Sequence, residues 1–355
     1  MSKINVIYDG DMGGDDLWAI AMMLAHPERF NVLGITTVFG NVSLERATKN
    51  VCELLNYTGF GHIPVYKGSD RALDGTKRLG DDAYGEEGIG NTKLPDGSKA
   101  AESNLDAVSF IKQQLHRTRG PIFFPSTGPL TNIATVCHDL VDDPSLLRKM
   151  KIEGMGGALN PPSYGDNAIR EGTKGNITPY AEFNFFQDSL AADLVLNSGV
   201  DITLLTMDSN QHFFLTPQHM DIIRSIGKEH DFGQNMMGML EPAADLDIPK
   251  FGTTGPFVHD PCVIAHMLEP GLFSGHRYKL RVTHDEDLAL ERTRNGELNK
   301  IGKGSKGDPL FLDNLEDPNL LFNIFKTSLE KLWTKMEPRY SPDSKRGARV
   351  KPRPQ

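Results

Sequence analysis

The stretch Ile4-Asn5-Val6-Ile7-Tyr8-Asp9-Gly10-Asp11-Met12-Gly13-Gly14-Asp15-Asp16 decides how this chain is read. Ile4 to Tyr8 is an apolar run of strand type, and a helical pattern resumes at Asp15-Asp16-Leu-Trp-Ala-Ile-Ala-Met-Met-Leu. Between them, four carboxylates fall within eight residues. No fold needs such a cluster. Like charges this close repel and raise one another's pKa unless a cation or tight hydrogen bonding compensates. The economical reading is a hard, oxygen-ligated metal such as Ca²⁺ or Mg²⁺. A solvated turn is the plain alternative, because Asp and Gly are common turn residues. Asp15 and Asp16 fall at a helix N-terminus, where free N–H groups and the macrodipole favour anions.

The spacing narrows the chemistry. An EF-hand loop needs a bidentate Glu at its twelfth position, and counting from Asp9 that residue is Ile20. A strand followed by Asp-x-Asp also opens haloacid-dehalogenase-type phosphatases, with Asp9 as nucleophile and Asp11 as acid. Gly13 then stands where Thr or Val is usual. That phosphotransferase is the enzymatic alternative.

The 355 residues exceed a typical single domain, although α/β architectures often run this long as one unit. A net charge of −9 argues against a nucleic-acid surface across the body of the protein. Cys52, Cys137 and Cys262 show no ligand spacing and no disulfide framework, which suits a reducing compartment. With no leader-type apolar region at the N-terminus and no apolar segment of membrane-spanning length, a cytoplasmic protein is expected.

Outward from the acidic cluster, strand-type runs at Ile4–Tyr8, Val32–Phe39, Ile63–Tyr66, Pro121–Pro125, Lys151–Met155 and Asp201–Met207 alternate with helical stretches. Those include Leu44–Tyr57, Ala107–Arg117 and Leu130–Cys137. Such alternation predicts βαβ units and a parallel sheet, with ligands bound beyond the carboxyl ends of the strands. The acidic cluster, Gly40-Asn41 and Ser126-Thr127-Gly128-Pro129 each follow a strand, so three motifs converge on one edge. The long segments Lys67–Asp106 and Gly156–Tyr180 read as the rim of that site. The basic, Pro-rich tail from Ser341 reads as mobile.

Two further polar clusters lie downstream, Asn176-Ile-Thr-Pro-Tyr-Ala-Glu182-Phe-Asn184 and Phe257-Val-His259-Asp260-Pro261-Cys262. Taken singly, their residues are ordinary turn or strand-end residues. Taken together, Asp260 offers a remote carboxylate to a cation, while Glu182, Asn176 and Asn184 offer what a sugar requires. At this point the chain resembles the nucleoside hydrolases, which cleave the N-glycosidic bond of ribonucleosides. Asp9 to Asp16, Thr36 to Asn41, Thr127 to Asn132, Ala181 to Asn184 and Val258 to Cys262 match that family's motifs in the family's order.

The resemblance implies an α/β fold with an open, mostly parallel Rossmann-like sheet flanked by helices, and one domain over 1–335 followed by a tail over 336–355. It implies that Asp11, Asp16, the Thr127 carbonyl and Asp260 hold Ca²⁺, with Asp9 in support. Asp11 would take a proton from the water that the cation acidifies. Asp15, Asn41, Asn176, Glu182 and Asn184 would grip the ribose hydroxyls as an oxocarbenium-like charge develops. His259 would lie near ribose and base and could protonate the leaving group. Tyr84 and Phe251 are candidate base contacts. The implied products are free base and ribose, and the implied assembly is a homodimer or homotetramer. A non-catalytic sugar-binding relative is a third reading, against which the acid cluster stands complete.

Departures from the family pattern are also legible. Met12 replaces the usual Pro, Leu17-Trp18 follow the Asp pair where Ala is common, and Tyr84 stands where many members carry His. The segment before His259 lacks the Tyr and Arg of some inosine-uridine enzymes, so base preference is not carried over. The insertion Pro161 to Gly175 is long and could reshape the pocket mouth.

Overall fold

A computed structural model describes residues 3–78, 80, 84–90, 92–94, 103–162, 174–284 and 294–339. The first half comprises β1 (Ile4–Gly10), α1 (Gly14–Ala25), β2 (Phe30–Thr37), α2 (Leu44–Thr58), β3 (Val65–Lys67), α3 (Ala107–Arg117), β4 (Ile122–Ser126), α4 (Thr131–Asp139), α5 (Pro144–Leu147) and β5 (Met150–Met155). Next come α6 (Phe183–Gln187), α7 (Ser189–Leu196), β6 (Asp201–Leu205), α8 (Met207–Asn210), α9 (Pro217–Arg224), α10 (Phe232–Phe251) and α11 (Asp260–Leu268). The chain then forms β7 (Phe273–Val282), β8 (Leu298–Lys303), β9 (Leu310–Leu315) and α12 (Pro318–Met336). The strands form one sheet in the order β3-β2-β1-β4-β5-β6-β9-β7-β8. It is parallel from β3 through β9, and β7 runs antiparallel to both its neighbours. This is the expected α/β class, a mostly parallel sheet flanked by helices.

Side-chain alternation along β1 divides the core in two. Val6 and Tyr8 join the apolar cluster built with α1, α11 and α12, while Ile7 joins the cluster on the opposite face with α3, α4 and α7. Both faces are buried, which explains why the strands read as continuous apolar runs rather than as strict alternation. Helix starts follow their side chains: Ser43 caps α2, Asp106 caps α3 and Asp317 caps α12, each accepting backbone N–H groups.

The chain departs from the expected bounds where loops take over backbone bonding. Val38 and Phe39 leave the sheet after Thr37, their N–H groups donating to Gly10 and Ser69 carbonyls at 3.0 Å each. Met207 begins α8 rather than ending β6, because the Ser209 hydroxyl accepts from the Thr206 N–H at 3.2 Å. Helix α10 runs through Pro242 and Pro249, residues that normally end a helix. Pro242 leaves the Gly238 carbonyl without its i+4 donor. Gly90 sits so close to that carbonyl that a Cβ there would lie 2.1 Å away. Among the described residues no helix is long and apolar enough to cross a membrane. The tail from Ser341 and most of the Pro161–Gly175 insertion lie outside the described residues.

Glu153 of β5 and His266 of α11 meet between sheet and helix, Oε2 to Nε2 at 3.8 Å. Burial raises Glu153 to about 8 and lowers His266 to about 4. Both are therefore uncharged at neutral pH, and their contact is not an ion pair. Glu153 has its folded pKa above its unfolded value, so its contribution is complete below the unfolded pKa and is lost as pH rises to about 8. His266 acts in the opposite sense, but only below the ordinary histidine pKa of about 6.5. The net loss falls between about pH 6.5 and 8. Urea unfolding of Glu153→Gln should show a flatter stability profile there, by up to about 1.4 kcal/mol per pH unit. Parallel profiles for the two proteins would refute this.

Candidate active site

Parallel register sets the strand ends level, so that Asp9 of β1 lies opposite Thr36 of β2 and Ser126 of β4. The loops beyond these strands therefore meet. Asp9 points away from α1, and its Oδ1 accepts from Thr36 Oγ1 at 2.6 Å and from Asn132 Nδ2 at 2.8 Å. Asp11 is gripped by Asn41, whose backbone N–H donates to Oδ2 at 2.6 Å and whose side-chain amide donates to Oδ1 at 3.0 Å. This grip requires close approach. A Cβ on Gly40 would lie 2.0 Å from Asp11 Oδ2. Met12 then takes φ +57°, a value closed to the proline ring, and its carbonyl accepts from Asn50 at 3.2 Å. The turn feeds α1, where Asp15 and Asp16 occupy the first turn and Trp18 finds its space by donating to the Met236 carbonyl at 2.6 Å.

Asp16 is held on both oxygens. Oδ2 accepts from the Gly13 N–H at 2.9 Å, and Oδ1 accepts from Thr127 Oγ1 at 2.6 Å and Tyr8 OH at 3.2 Å. Asp260 arrives from the other half of the chain, at the first turn of α11 with His259 before it. Ligand atoms of Asp15, Asp16 and Asp260 lie within 4.8 Å of one another, all three residues buried. Burial first, and mutual repulsion second, push Asp16 and Asp260 far above the usual carboxylate range. Burial raises Asp11 to about 7 and Asp9 to about 6. Among the described residues, Asp15 Oδ1 and Asp9 Oδ2 are buried without a hydrogen-bond partner. Converging oxygen donors, mutual repulsion and an unpartnered carboxylate oxygen fit a hard divalent cation.

Beside the carboxylates opens a cleft. Asp15, Asp260, Thr127 and Asn41 line its acidic end, Glu182, Asn176 and Asn184 its side, and Phe251, Phe257, Leu246 and Ile177 its apolar end. Phe251 and Phe257 pack edge to face at 5.3 Å, and the His259 ring lies 5.8 Å from Phe257. Burial lowers the His259 pKa, which nearby Asp15 partly opposes. Among the described residues its Nδ1 has no partner.

Residues 6–315 match the family model described as inosine-uridine preferring nucleoside hydrolase. The chain belongs to this family. A pyrimidine-specific ribonucleoside hydrolase, RihA, of Shewanella baltica is 32% identical over 326 residues, covering 91% of this chain and 96% of that protein. Uridine nucleosidase 1 of Arabidopsis thaliana is 32% identical over 78% of this chain and 77% of its own. Among solved structures, a purine-preferring ribonucleoside hydrolase from Gardnerella vaginalis superposes with a TM-score of 0.79 at 26% identity, covering 93% of this chain and 99% of that one. The chain is thus an N-ribohydrolase, and the phosphotransferase alternative falls away.

In this nucleoside hydrolase Asp15, Asn41, Tyr84, Thr127, Asn176, Glu182, Asn184, Phe251, His259 and Asp260 line one cleft, while Asp11, expected as a metal ligand, lies outside the carboxylate trio; several of these residues have prior engagements. The Thr127 carbonyl accepts from Asn184 Nδ2 at 2.9 Å. Glu182 caps α6, accepting from the N–H groups of Gly157 (2.9 Å), Asn184 (2.8 Å) and Phe185 (3.1 Å). Asn176 Oδ1 accepts from Phe183 N at 2.9 Å. Tyr84 is buried on the Gly13-Gly14 turn, interacts with Asp15 and lines the cleft. Asp15, assigned by resemblance to ribose, also joins the carboxylate trio.

Tyr8, Thr36 and Asn132 support the acids but carried no individual signal; the last two lay inside matched motifs. Ala243, Leu246, Asp247 and Lys250, all from α10, also line the cleft. The two prolines inside this helix conceal it in the sequence.

Stripping divalent cations from the purified enzyme should lower its Tm, since the buried carboxylates then repel without compensation. Restoring a cation at about a hundred times its Kd stabilises a folded site by ~2.7 kcal/mol, or roughly 4 °C at this size. Asp260→Asn should shrink that difference. Identical melting curves with chelator and with cation would show that nothing binds there.

Proposed function

We propose that this nucleoside hydrolase binds Ca²⁺ in its carboxylate cluster and hydrolyses the N-glycosidic bond of ribonucleosides to free base and ribose. The observation that carries this reading is the meeting of buried, mutually repelling carboxylates with an aromatic-lined cleft. Asp11, Asp16, Asp260 and the Thr127 carbonyl would hold the ion, joined by Asp15, with Asp9 supporting from behind. When bound, a divalent cation supplies Lewis-acid chemistry, acidifying water and binding vicinal hydroxyls.

Asp11 is the general base, and the two bonds from Asn41 fix its direction. The unpartnered Asp15 Oδ1 accepts a ribose hydroxyl. Asn41, Asn176, Glu182 and Asn184 surround the sugar. The bonds Glu182 already makes hold its carboxylate still, and hydrogen bonds that strengthen as ring charge grows lower the barrier. His259, beside Phe257, is placed to give a proton or a hydrogen bond to the departing base. The relatives' names point to pyrimidines, uridine and purines in turn. Phe251 and Phe257 grip by burial and stacking, which suits tolerance of several bases. Three buried free thiols accord with a cytoplasmic setting. Assembly as a homodimer or homotetramer completes the reading and is measurable by sedimentation.

If the ribose diol contacts the cation and Asp15, uridine and adenosine should exceed their 2′-deoxy counterparts in kcat/KM by about a hundredfold or more. Comparable turnover of the two series would sink the diol contact.

The His259→Ala enzyme separates acid from positioning roles. As general acid, His259 should matter by about a hundredfold on natural nucleosides, and far less on p-nitrophenyl riboside, whose leaving group needs no proton. Equal losses on both substrates would assign His259 to holding ribose instead.

A further inference from the structure

Tyr8 is the last large side chain of β1 before the acidic loop, and it is completely buried on the α1 face of the sheet. A phenol there is not needed for packing, since its neighbours are apolar. Burying an unsatisfied hydroxyl costs roughly 1–3 kcal/mol, so its partners matter. The hydroxyl meets Asp16 twice, at 3.2 Å to Oδ1 and 3.4 Å to the carbonyl, and Thr127 Oγ1 at 2.8 Å. Thr127 Oγ1 in turn lies 2.6 Å from the same Asp16 oxygen. The three groups close a triangle beneath the cluster. It is packed against the strand itself, for a Cβ on Gly10 would fall 2.3 Å from Asp16 Oδ1, 2.8 Å from Thr127 Oγ1 and 2.9 Å from Tyr8 Cε1.

We infer that Tyr8 is a positioning residue for the cation site: its hydroxyl, with that of Thr127, holds one oxygen of Asp16 and so aims the carboxylate at Asp15 and Asp260. The inference rests on the cation-binding reading proposed above. Both hydroxyls reach Asp16 Oδ1, and the Gly13 N–H fixes Oδ2. Asp16 therefore cannot swing, and the site is organised before an ion arrives. Preorganisation of this kind shows itself in affinity.

The test is Tyr8→Phe, which keeps the ring and deletes only the hydroxyl. Calcium titration calorimetry on the chelator-treated protein should show affinity falling about tenfold, the ordinary consequence of losing a hydrogen bond to a charged group. The calcium concentration for half-maximal nucleoside hydrolysis should rise in parallel, and kcat should recover at saturating calcium. Thr127→Val should repeat the defect and Thr127→Ser should not, which decides the matter if Tyr8→Phe fails to fold. Wild-type calcium affinity in Tyr8→Phe, or a kcat loss that excess calcium leaves untouched, overturns the role. A wild-type enzyme that takes up no calcium, yet hydrolyses nucleosides, overturns the calcium reading itself and this inference with it.

Discussion

Like-charged carboxylates buried together at the end of β1 are the constraint on which the rest of this structure depends. Ionised groups out of water and close to one another are costly unless compensated. Asp9, Asp11, Asp16 and Asp260 all have raised pKa values as a result. The surrounding polar contacts can be read as answers to that cost. Asn41 holds Asp11, Asn132 and Thr36 hold Asp9, and Gly13, Thr127 and Tyr8 hold Asp16. What these contacts leave unmet, chiefly the bare oxygen of Asp15, is what a cation and a sugar diol are suited to satisfy.

The cluster also dictates where side chains must be missing. Gly10, Gly40 and Gly128 each come within 3 Å of a carboxylate, its backbone or its partners if a Cβ is added. These glycines are spaces rather than flexible joints, and they let three loops from three strands reach one point. Loop positions of this kind tolerate change poorly, because any side chain would push Asp11 or Asp16 from its partners. The far side of the cleft is built differently. There α10 and the segment before α11 supply mainly apolar and aromatic surface.

Much of this was legible in the sequence because it is local. The acidic run behind an apolar strand announces a cation site. The βαβ alternation from Ile4 to Leu205 announces a parallel sheet, and a parallel sheet places its loops on one edge. Asp11, Asp15 and Asp16 needed no tertiary information to be singled out, and Asn41 and Thr127 follow from strand ends. Where the sequence was silent, its local signal was weak or contradictory. β7 to β9 extend the sheet outside the βαβ rhythm, with β7 antiparallel to both its neighbours, and α10 carries two prolines that break the helical pattern on paper.

The sequence by itself therefore determined the fold class, the edge that carries the site and most of the acids, since each depends on residue type and short spacing. Only the tertiary structure decided which oxygen each group offers. Asp15 sharing a ligand trio with Asp16 and Asp260, Glu182 being held by three backbone N–H groups, and Tyr8 gripping Asp16 are outcomes of distances between segments far apart in the chain. A hydrogen bond is made or lost over a few tenths of an ångström, a scale set by packing rather than by the order of residues.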